Sequence, residues 1–566
     1  MDELKERPWS QHYPEGVPLD LPIPDKPLHA ILDEAVRDYP DRIATIFKGK
    51  KVTYRQLDHM ANRFARALRG MGVNPGDRVA IMLPNIPQAV AAFYGALRAG
   101  VVVVMTNPLY VERELEHQMN DAGARVILAL DLLKPRIEAV RTHTPLEHVV
   151  YTSIRDALPF PLNLLYPLKQ KLPTIQPGPT THRWTDLMAQ NSPAFPPVDA
   201  RPDDVALLQY TGGTTGLSKG AMLTHRNLVA NALQTVAWMG QDDARQTESR
   251  ILTVLPFFHV YGLTVCMNMA VATAATMVLM PKFEVNEALD LIEKYRPKFF
   301  PGAPTMYVAV LNHPEVAKRD LASIQACLSG SAPLPVEVQT SFERITGGKL
   351  VEGYGLTEAS PVTHSNPLNG LRKTGSIGLP FPSTDVKIVD LETGLRELPP
   401  GEVGELCVRG PQVMAGYWNR PEETARALRD GWLYTGDMAR MDEDGFAYIV
   451  DRKKDMIIAG GFNIYPREVE EVLYEHPAVQ EAVAVGVPDA YRGETVKAFL
   501  VLKQGQESTP DEIVAFCRER LAKYKVPTAV EFRDTLPKTI VGKVLRRKLL
   551  EEEKERQAQA AVDSQA

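Results

Sequence analysis

The sequence predicts an α/β fold: a large N-terminal α/β domain of several subdomains over residues 1–450, then a small C-terminal α+β domain over residues 451–566. Helix-period and strand-period segments alternate through the first part of the chain, a charged run DRKKDM breaks the pattern at Asp451, and the remainder carries strand and helix signals of its own. At 566 residues the chain also exceeds what one hydrophobic core usually serves.

Residues 54–69 set Leu57, Met60, Ala61, Phe64, Ala65 and Leu68 at three- and four-residue spacings, the apolar stripe of an amphipathic helix, which Gly70 and Gly72 end. RVAIML (78–83) then reads as a strand. The alternation repeats with a helix through AVAAFYGALRAG (89–100), a strand VVVVM (101–105), a helix VERELEHQMNDAG (111–123) and a strand RVILAL (125–130). Strands alternating with helices over short connections predict parallel α/β layers. LPFPLNLLYPLKQK (158–171) is expected to be a Pro-broken loop packed on the core, with a dip into a membrane surface as the second reading. Residues 172–202 are rich in Pro and polar side chains and predict a linker before the strand VALLQY (205–210).

Residues 260–280 carry no charge over 21 positions, but Thr264, Asn268, Thr273 and Thr276 dilute the run. A buried helix followed by the strand TMVLM is therefore expected, not a bilayer span. Beyond the strand AYIV (447–450), AVAVGV (482–487), KAFLVL (497–502) and PDEIVAFCRERLAKY (510–524) supply two strands and a helix, and 551–566 reads as a fraying helical tail.

A net charge of −6 with no basic domain or arm argues against nucleic acid as the main partner. Cys266, Cys327, Cys407 and Cys517 are far apart and give neither a disulfide framework nor a zinc pattern, so a reducing cytoplasm fits. The charged N-terminus MDELKERPWSQHYPEG has no apolar core of a signal peptide.

Residues 210–220 read YTGGTTGLSKG. Gly lets backbone N–H groups approach an anion closely, so this is a candidate phosphate loop, with a plain Gly-rich hairpin turn as the alternative. It is not a Walker loop, because Lys219 follows Ser218 and precedes Gly220. The hydroxyls and amides of Thr211, Gly212, Gly213, Thr214, Thr215 and Gly216 are candidates to wrap nucleotide phosphates, with Lys219 supplying charge.

Downstream lie PFFHVYG (256–262), SGSAPLP (329–335), VEGYGLTEAS (351–360), LYTGD (433–437), DRKKDMIIAGGFNIYP (451–466) and PKTIVGKVLRR (537–547). In this order the chain resembles, over nearly its whole length, the adenylate-forming superfamily of acyl-CoA synthetases, luciferases and peptide-synthetase adenylation domains. Within it the bacterial long-chain fatty acid-CoA ligases are nearest. The resemblance implies two half-reactions. A carboxylate first attacks ATP to give an acyl-AMP and pyrophosphate, a step that asks for positioning and charge neutralisation. Coenzyme A then takes the acyl group as a thioester.

The resemblance also implies roles. Glu358 and Thr211 would bind Mg2+ beside the phosphates. Tyr354 would stack on adenine, with Gly330, Ser331, Ala332 and Pro333 along the other face of the base; Glu352, Gly353, Gly355 and Thr357 belong to the same nucleotide-binding stretch. Asp437 would accept the ribose hydroxyls, and Arg452 would contact ribose or phosphate. Lys543 resembles the adenylation lysine, whose ammonium offsets charge on the α-phosphate and carboxylate. The small domain would be mobile about a hinge at Asp451, presenting the loop with Gly460 and Gly461 to the pantetheine chain, with Lys453, Lys454 and Arg492 near the CoA phosphates.

Peptide-synthetase domains place an Asp in the segment matching PFFHVYG; here His259 stands with no acidic neighbour, which disfavours an amino acid substrate. His259 would border the carboxylate end, the alternative being a hydrogen-bonded core histidine. Phe258, Val260, Tyr261 and Leu263 are candidates to line an acyl tunnel, where each buried methylene is worth roughly 0.8 kcal/mol. Leu263 stands where some relatives place a gating Trp. A long-chain fatty acid is the expected substrate; an aryl or medium-chain acid, or transfer to a carrier protein in place of CoA, are the alternatives. Peripheral membrane contact and a homodimer are left open.

Overall fold

The computed structural model describes residues 7–211, 218–240, 248–459, 462–489, 492–539 and 542–563. The chain divides into two compact units, one built from residues 1–212, 218–385 and 408–433, the other from 386–407 and 434–566 together with 213–217.

The first unit is organised by an eight-stranded sheet in the spatial order Gly416–Tyr417, Gly220–Thr224, Val205–Tyr210, Val102–Met105, Arg78–Met82, Ala124–Leu130, His148–Thr152 and Thr181–Arg183. The six strands from Val205–Tyr210 to Thr181–Arg183 are parallel, as the βα alternation predicts. The other two are antiparallel, because Val205–Tyr210 turns straight back into Gly220–Thr224 through the Gly/Thr loop. Tyr54–Gly70 is the expected amphipathic helix, capped by Thr53 and Gln56, and it crosses Pro87–Arg98 so closely that a Cβ on Gly95 would lie 2.4 Å from Ala61 O. A second sheet joins Arg250–Thr253, Thr276–Leu279, Ile43–Phe47 and Lys50–Thr53; a third joins Ala326–Ser329, Lys349–Gly355, Val362–Ser365 and Leu379–Pro380.

The uncharged run 260–280 is buried throughout, as a π-helical turn Gly262–Asn268, a short helix Met269–Ala272 and the strand Thr276–Leu279. Among the described residues no helix is long and apolar enough to cross a membrane. All four cysteines are buried, and none is in a disulfide.

In the second unit, the hairpin of Val479–Asp489 and Gly493–Leu502 is buried on both faces. Side chains alternate, so Ala482, Ala484, Val496, Ala498 and Leu500 face Val469, Leu473 and Ile513 from two helices, while Val483, Val485, Phe499 and Val501 pack with Leu536 and Leu549. Asp385–Val389, Gly404–Arg409, Trp432–Met441 and Ala447–Arg452 make a further sheet lying mostly in this unit, the last two strands antiparallel.

Four sequence expectations are corrected. Beyond Leu158, which is buried, the segment 158–171 does not pack on the core: Leu162–Lys169 is a helix with no buried residue. The expected linker 172–202 contains the strand Thr181–Arg183, which closes the edge of the large sheet, and the helix Trp184–Gln190, because Trp184 and Leu187 reach the core. The strand expected to stop at residue 450 runs through to Arg452, held by pairing with Asp437 and Met438. The helix expected over 510–524 is Pro510–Arg518, after which turns take over.

Candidate active site

Four motifs far apart in the sequence converge in the first unit. Gln209, on the strand that leads into the Gly/Thr loop, donates to Phe258 O at 2.8 Å and so ties that loop's base to PFFHVYG. Tyr261 of PFFHVYG donates to Leu328 O at 2.6 Å and lies under Gly330, where a Cβ would come within 3.0 Å of its ring. Thr264 donates to Ser360 O at 2.6 Å, joining the π-helical turn to VEGYGLTEAS. Ala326–Ser329 and Lys349–Gly355 are adjacent and parallel, with Ser329 opposite Glu352. Residues 330–333 and 356–358 therefore leave the carboxyl ends of neighbouring parallel strands, the place where α/β sheets bind ligands.

Within this cluster Glu358 is half-buried on the turn Thr357–Ala359; Met414 N donates to its carbonyl at 2.8 Å and Tyr417 Oη to its Oε1 at 2.7 Å. Burial and the Glu358 carboxylate raise the Tyr417 phenol well above its usual range, so it stays a donor. Lys219 is ion-paired with Glu423, and its ammonium sits 5.2 Å from the centre of the Tyr417 ring. Thr211 N donates to Lys219 O at 2.9 Å, closing the neck of the hairpin. Tyr210 Oη on Asp121 at 2.7 Å and Arg420 on Asp121 at 3.0 Å brace the same neck. Gly212, Gly213, Thr214, Thr215 and Gly216 lie outside the described residues.

Tyr354 is half-buried and edge-on to His364 at 6.0 Å, and burial holds the His364 imidazole down to about 3, so it is neutral there. Ser331 takes a left-handed φ of 72°, with Ala332 half-buried and Pro333 exposed. Glu352 is buried and accepts from Leu334 N at 3.4 Å. Gly355 is required by packing: a Cβ there would sit 2.1 Å from Pro361 O. His259 is half-buried, and its Nδ1 accepts from Tyr261 N at 3.3 Å. Val260 and Leu263 are fully buried.

A second cluster lies within the other unit. Strand pairing sets Arg452 opposite Asp437, with Arg452 Nε 3.4 Å from Asp437 Oδ1. Lys453 reaches Glu405 at 3.2 Å, and Glu405 also accepts from Gly436 N at 3.1 Å, fixing the backbone of YTGD within the strand Trp432–Met441. Lys543 follows Gly542, whose φ of 80° suits glycine, in a tight turn where Thr539 N donates to Lys543 O at 2.8 Å. Its ammonium is pulled down to about 8, first by burial and then by Arg452, with Lys454 adding to the effect and Asp437 and Asp455 opposing it. Lys543, Arg452 and Asp437 therefore share one electrostatic environment. Asp451 is buried, accepts from Arg452 N at 2.6 Å and Arg467 N at 2.9 Å, and is pushed up to about 6 by burial. Lys454 is exposed, Arg492 is half-buried, and Gly460 and Gly461 lie outside the described residues.

Sequence reasoning missed Tyr417, Glu423, Glu405 and Arg546. Arg546 joins Glu470 at 2.6 Å and Asp455 at 3.3 Å, and it stands inside the quoted PKTIVGKVLRR. Tyr417 and Glu423 sit in GYWNRPEE, a run with Tyr, Trp and paired acids whose partners no spacing rule reveals.

The residues present fit a magnesium nucleotide. Glu358 is a hard oxygen donor, linked through Tyr417 to the strand Gly220–Thr224 that follows the Gly/Thr loop. Among the described residues no group of three His, Cys, Asp or Glu side chains stands close enough to hold a metal alone. That suits an ion completed by phosphate oxygens and water.

A family model for AMP-binding enzymes matches residues 32–418, and one for the AMP-binding enzyme C-terminal domain matches residues 468–543. The long-chain-fatty-acid–CoA ligase of Bacillus subtilis (strain 168) is 54% identical over 557 residues, 97% of this chain and 99% of that protein. The enzyme of the same name from Escherichia coli O6:H1 is 41% identical over 567 residues, 99% of each chain. Among solved structures, ATP-bound MatB from Rhodopseudomonas palustris is similar with a TM-score of 0.83 at 32% identity, covering 94% of this chain and 99% of that one. The anthranilate CoA ligase AuaEII in complex with anthranoyl-AMP has a TM-score of 0.85 at 28% identity, covering 95% and 99%. Both domain models fall in order along the chain, and the chain belongs to the AMP-binding enzyme family.

Proposed function

We propose that this protein is an ATP-dependent long-chain fatty acid-CoA ligase that forms an acyl-AMP and then an acyl-CoA. The observation that carries the reading is the convergence of Gln209, Tyr261, Thr264 and Glu358, which joins the phosphate hairpin, the apolar segment 256–268 and the YGLTE turn. The names and identities of the Bacillus and Escherichia relatives support the acyl class.

Glu358 and Thr211 would hold Mg2+, which when bound neutralises phosphate charge. Lys219 and the Thr/Gly loop bind the β and γ phosphates, and Tyr354 with residues 330–333 brackets the base. Asp437 takes the ribose hydroxyls. The Lys543 ammonium, kept in a poorly solvated place, offers concentrated positive charge to the α-phosphate and the attacking carboxylate. His259 borders that carboxylate.

The domains are read as 1–450 and 451–566 with a hinge at Asp451. Rotation there would part Arg467 Nη1 from Ile449 O, now 3.0 Å apart, and carry Lys543, together with Arg452, away from Asp437. The vacated place would be free for Gly460 and Gly461 to present to CoA, with Lys454 at its phosphates. Buried cysteines without a disulfide fit a reducing cytoplasm.

Pyrophosphate release with ATP, magnesium and palmitate, run with and without CoA and repeated with coumarate, tests the reading. CoA-dependent turnover on palmitate is expected. Release that CoA does not accelerate would indicate an acyl-AMP ligase serving a carrier protein, and turnover on coumarate alone an aryl-acid ligase.

A further inference from the structure

The segment 158–171 belongs to neither cluster. Leu162–Lys169 buries none of its residues, and Phe160 and Leu168 are 78% and 82% exposed, with Leu162, Leu164 and Leu165 also open to solvent. Its visible anchor is polar: Arg155 Nε donates to Asn163 O at 2.9 Å, leaving the leucines unpacked. Leu109 and Val111 are exposed too, on the turn after Val102–Met105. Strands Val102–Met105 and His148–Thr152 run parallel in one sheet, so both apolar groups emerge at the same end of it. The helix Lys134–Arg141 bonds to the first turn through Arg136 to Pro108 O, and to the chain just past the second segment through Lys134 to Thr174 O.

Charge selects the occupant. The chain carries a net −6, yet residues 157–185 contain no Asp or Glu, and Lys169 and Lys171 are exposed at the helix end. Open leucines and a Phe with lysines at their border are the composition that lies flat in a headgroup layer.

We propose that Phe160 and the helix Leu162–Lys169 dock on an anionic lipid surface, the leucines entering the acyl boundary and Lys169 and Lys171 meeting headgroup phosphates. Docking stands without the acyl-CoA reading; only its benefit, placing the enzyme where long-chain acids partition, rests on that reading.

The test is cosedimentation of the full chain with phosphatidylcholine vesicles with and without phosphatidylglycerol. Binding to the anionic vesicles is expected, weakened roughly tenfold in Leu164→Glu/Leu168→Glu and severalfold in Lys169→Glu/Lys171→Glu or at about 0.5 M salt. Unchanged thermal stability and unchanged pyrophosphate release with octanoate show that the variants are folded. Equal sedimentation of the wild type and Leu164→Glu/Leu168→Glu overturns the proposal. So does an absence of vesicle binding together with a dimer that dissociates in that variant, which would make a second copy the occupant. Silence on palmitate with vesicle binding intact would sink the acyl-CoA reading and leave this one standing.

Discussion

Tyr417 Oη and Glu358 Oε1 are 2.7 Å apart, and the same tyrosine ring lies beneath the Lys219 ammonium, itself paired with Glu423. One phenol thus orients the carboxylate proposed to meet magnesium and flanks the cation proposed to meet phosphate. Pairing of Gly416–Tyr417 with Gly220–Thr224, Tyr417 opposite Ala221, creates the relationship.

Tyr417→Phe removes the hydrogen bond and keeps the ring. The expected result is a stability loss of roughly 1 kcal/mol. Magnesium should be needed at roughly tenfold higher concentration for half-maximal pyrophosphate release, as for a lost partner of a metal ligand. A magnesium titration at saturating ATP checks this, and an unchanged midpoint would remove Tyr417 from the metal site.

Lys543→Ala is expected to lower acyl-AMP formation by roughly 100-fold or more, the scale of losing one positioned charge from a transition state. Thioester formation from supplied acyl-AMP should persist. Pyrophosphate exchange and acyl-AMP consumption, measured separately, decide it; equal loss of both steps would refute the division of labour.

The Lys543 ammonium also sets a pH dependence. Its native value is about 8 against 10.5 for an unperturbed lysine, so between those values the folded state holds fewer protons than the unfolded state. The cost of the buried charge is fully present below pH 8, and stability should rise as pH climbs through that window, relative to Lys543→Met. Catalysis runs the other way: kcat/KM for adenylation should fall above pH 8 as the ammonium is lost. Denaturant midpoints and initial rates across that range test both signs.

Gly355→Ala places a Cβ 2.1 Å from the backbone oxygen of Pro361 and must push that turn aside. A loss of about 1–3 kcal/mol is expected, the usual range for overpacking, with a higher KM for ATP because Glu358 lies on the displaced turn. Retained stability with only the ATP effect would mean that the glycine serves the nucleotide alone.

The large sheet was legible because the helix Tyr54–Gly70 buries one stripe and the parallel strands are continuously apolar, so that helix and the sheet's strands up to residue 130 follow from pattern. The segment 158–171 misled for the opposite reason. Its leucines carry the same apolar signal whether they meet a core or solvent, and only the surrounding chain decides which. Strand Ala447–Arg452 outran its expected end because pairing with Asp437 and Met438 outweighs the poor strand preference of charged residues.

Sequence alone offered the chemistry: a Gly/Thr loop suits an anion through its own backbone, while the roles proposed for YGLTE, YTGD and the lysine of TIVGK came from the resemblance to a family, each stretch being weak by itself. Tertiary structure alone decided which of these groups meet. Tyr417 reaches Glu358 across 59 residues and Lys219 reaches Glu423 across the edge of the sheet, while Lys543 comes under the influence of Arg452 and Asp437 and loses its ordinary basicity. Proximity and desolvation belong to the folded chain, because both depend on which strands pair and what those strands exclude from water.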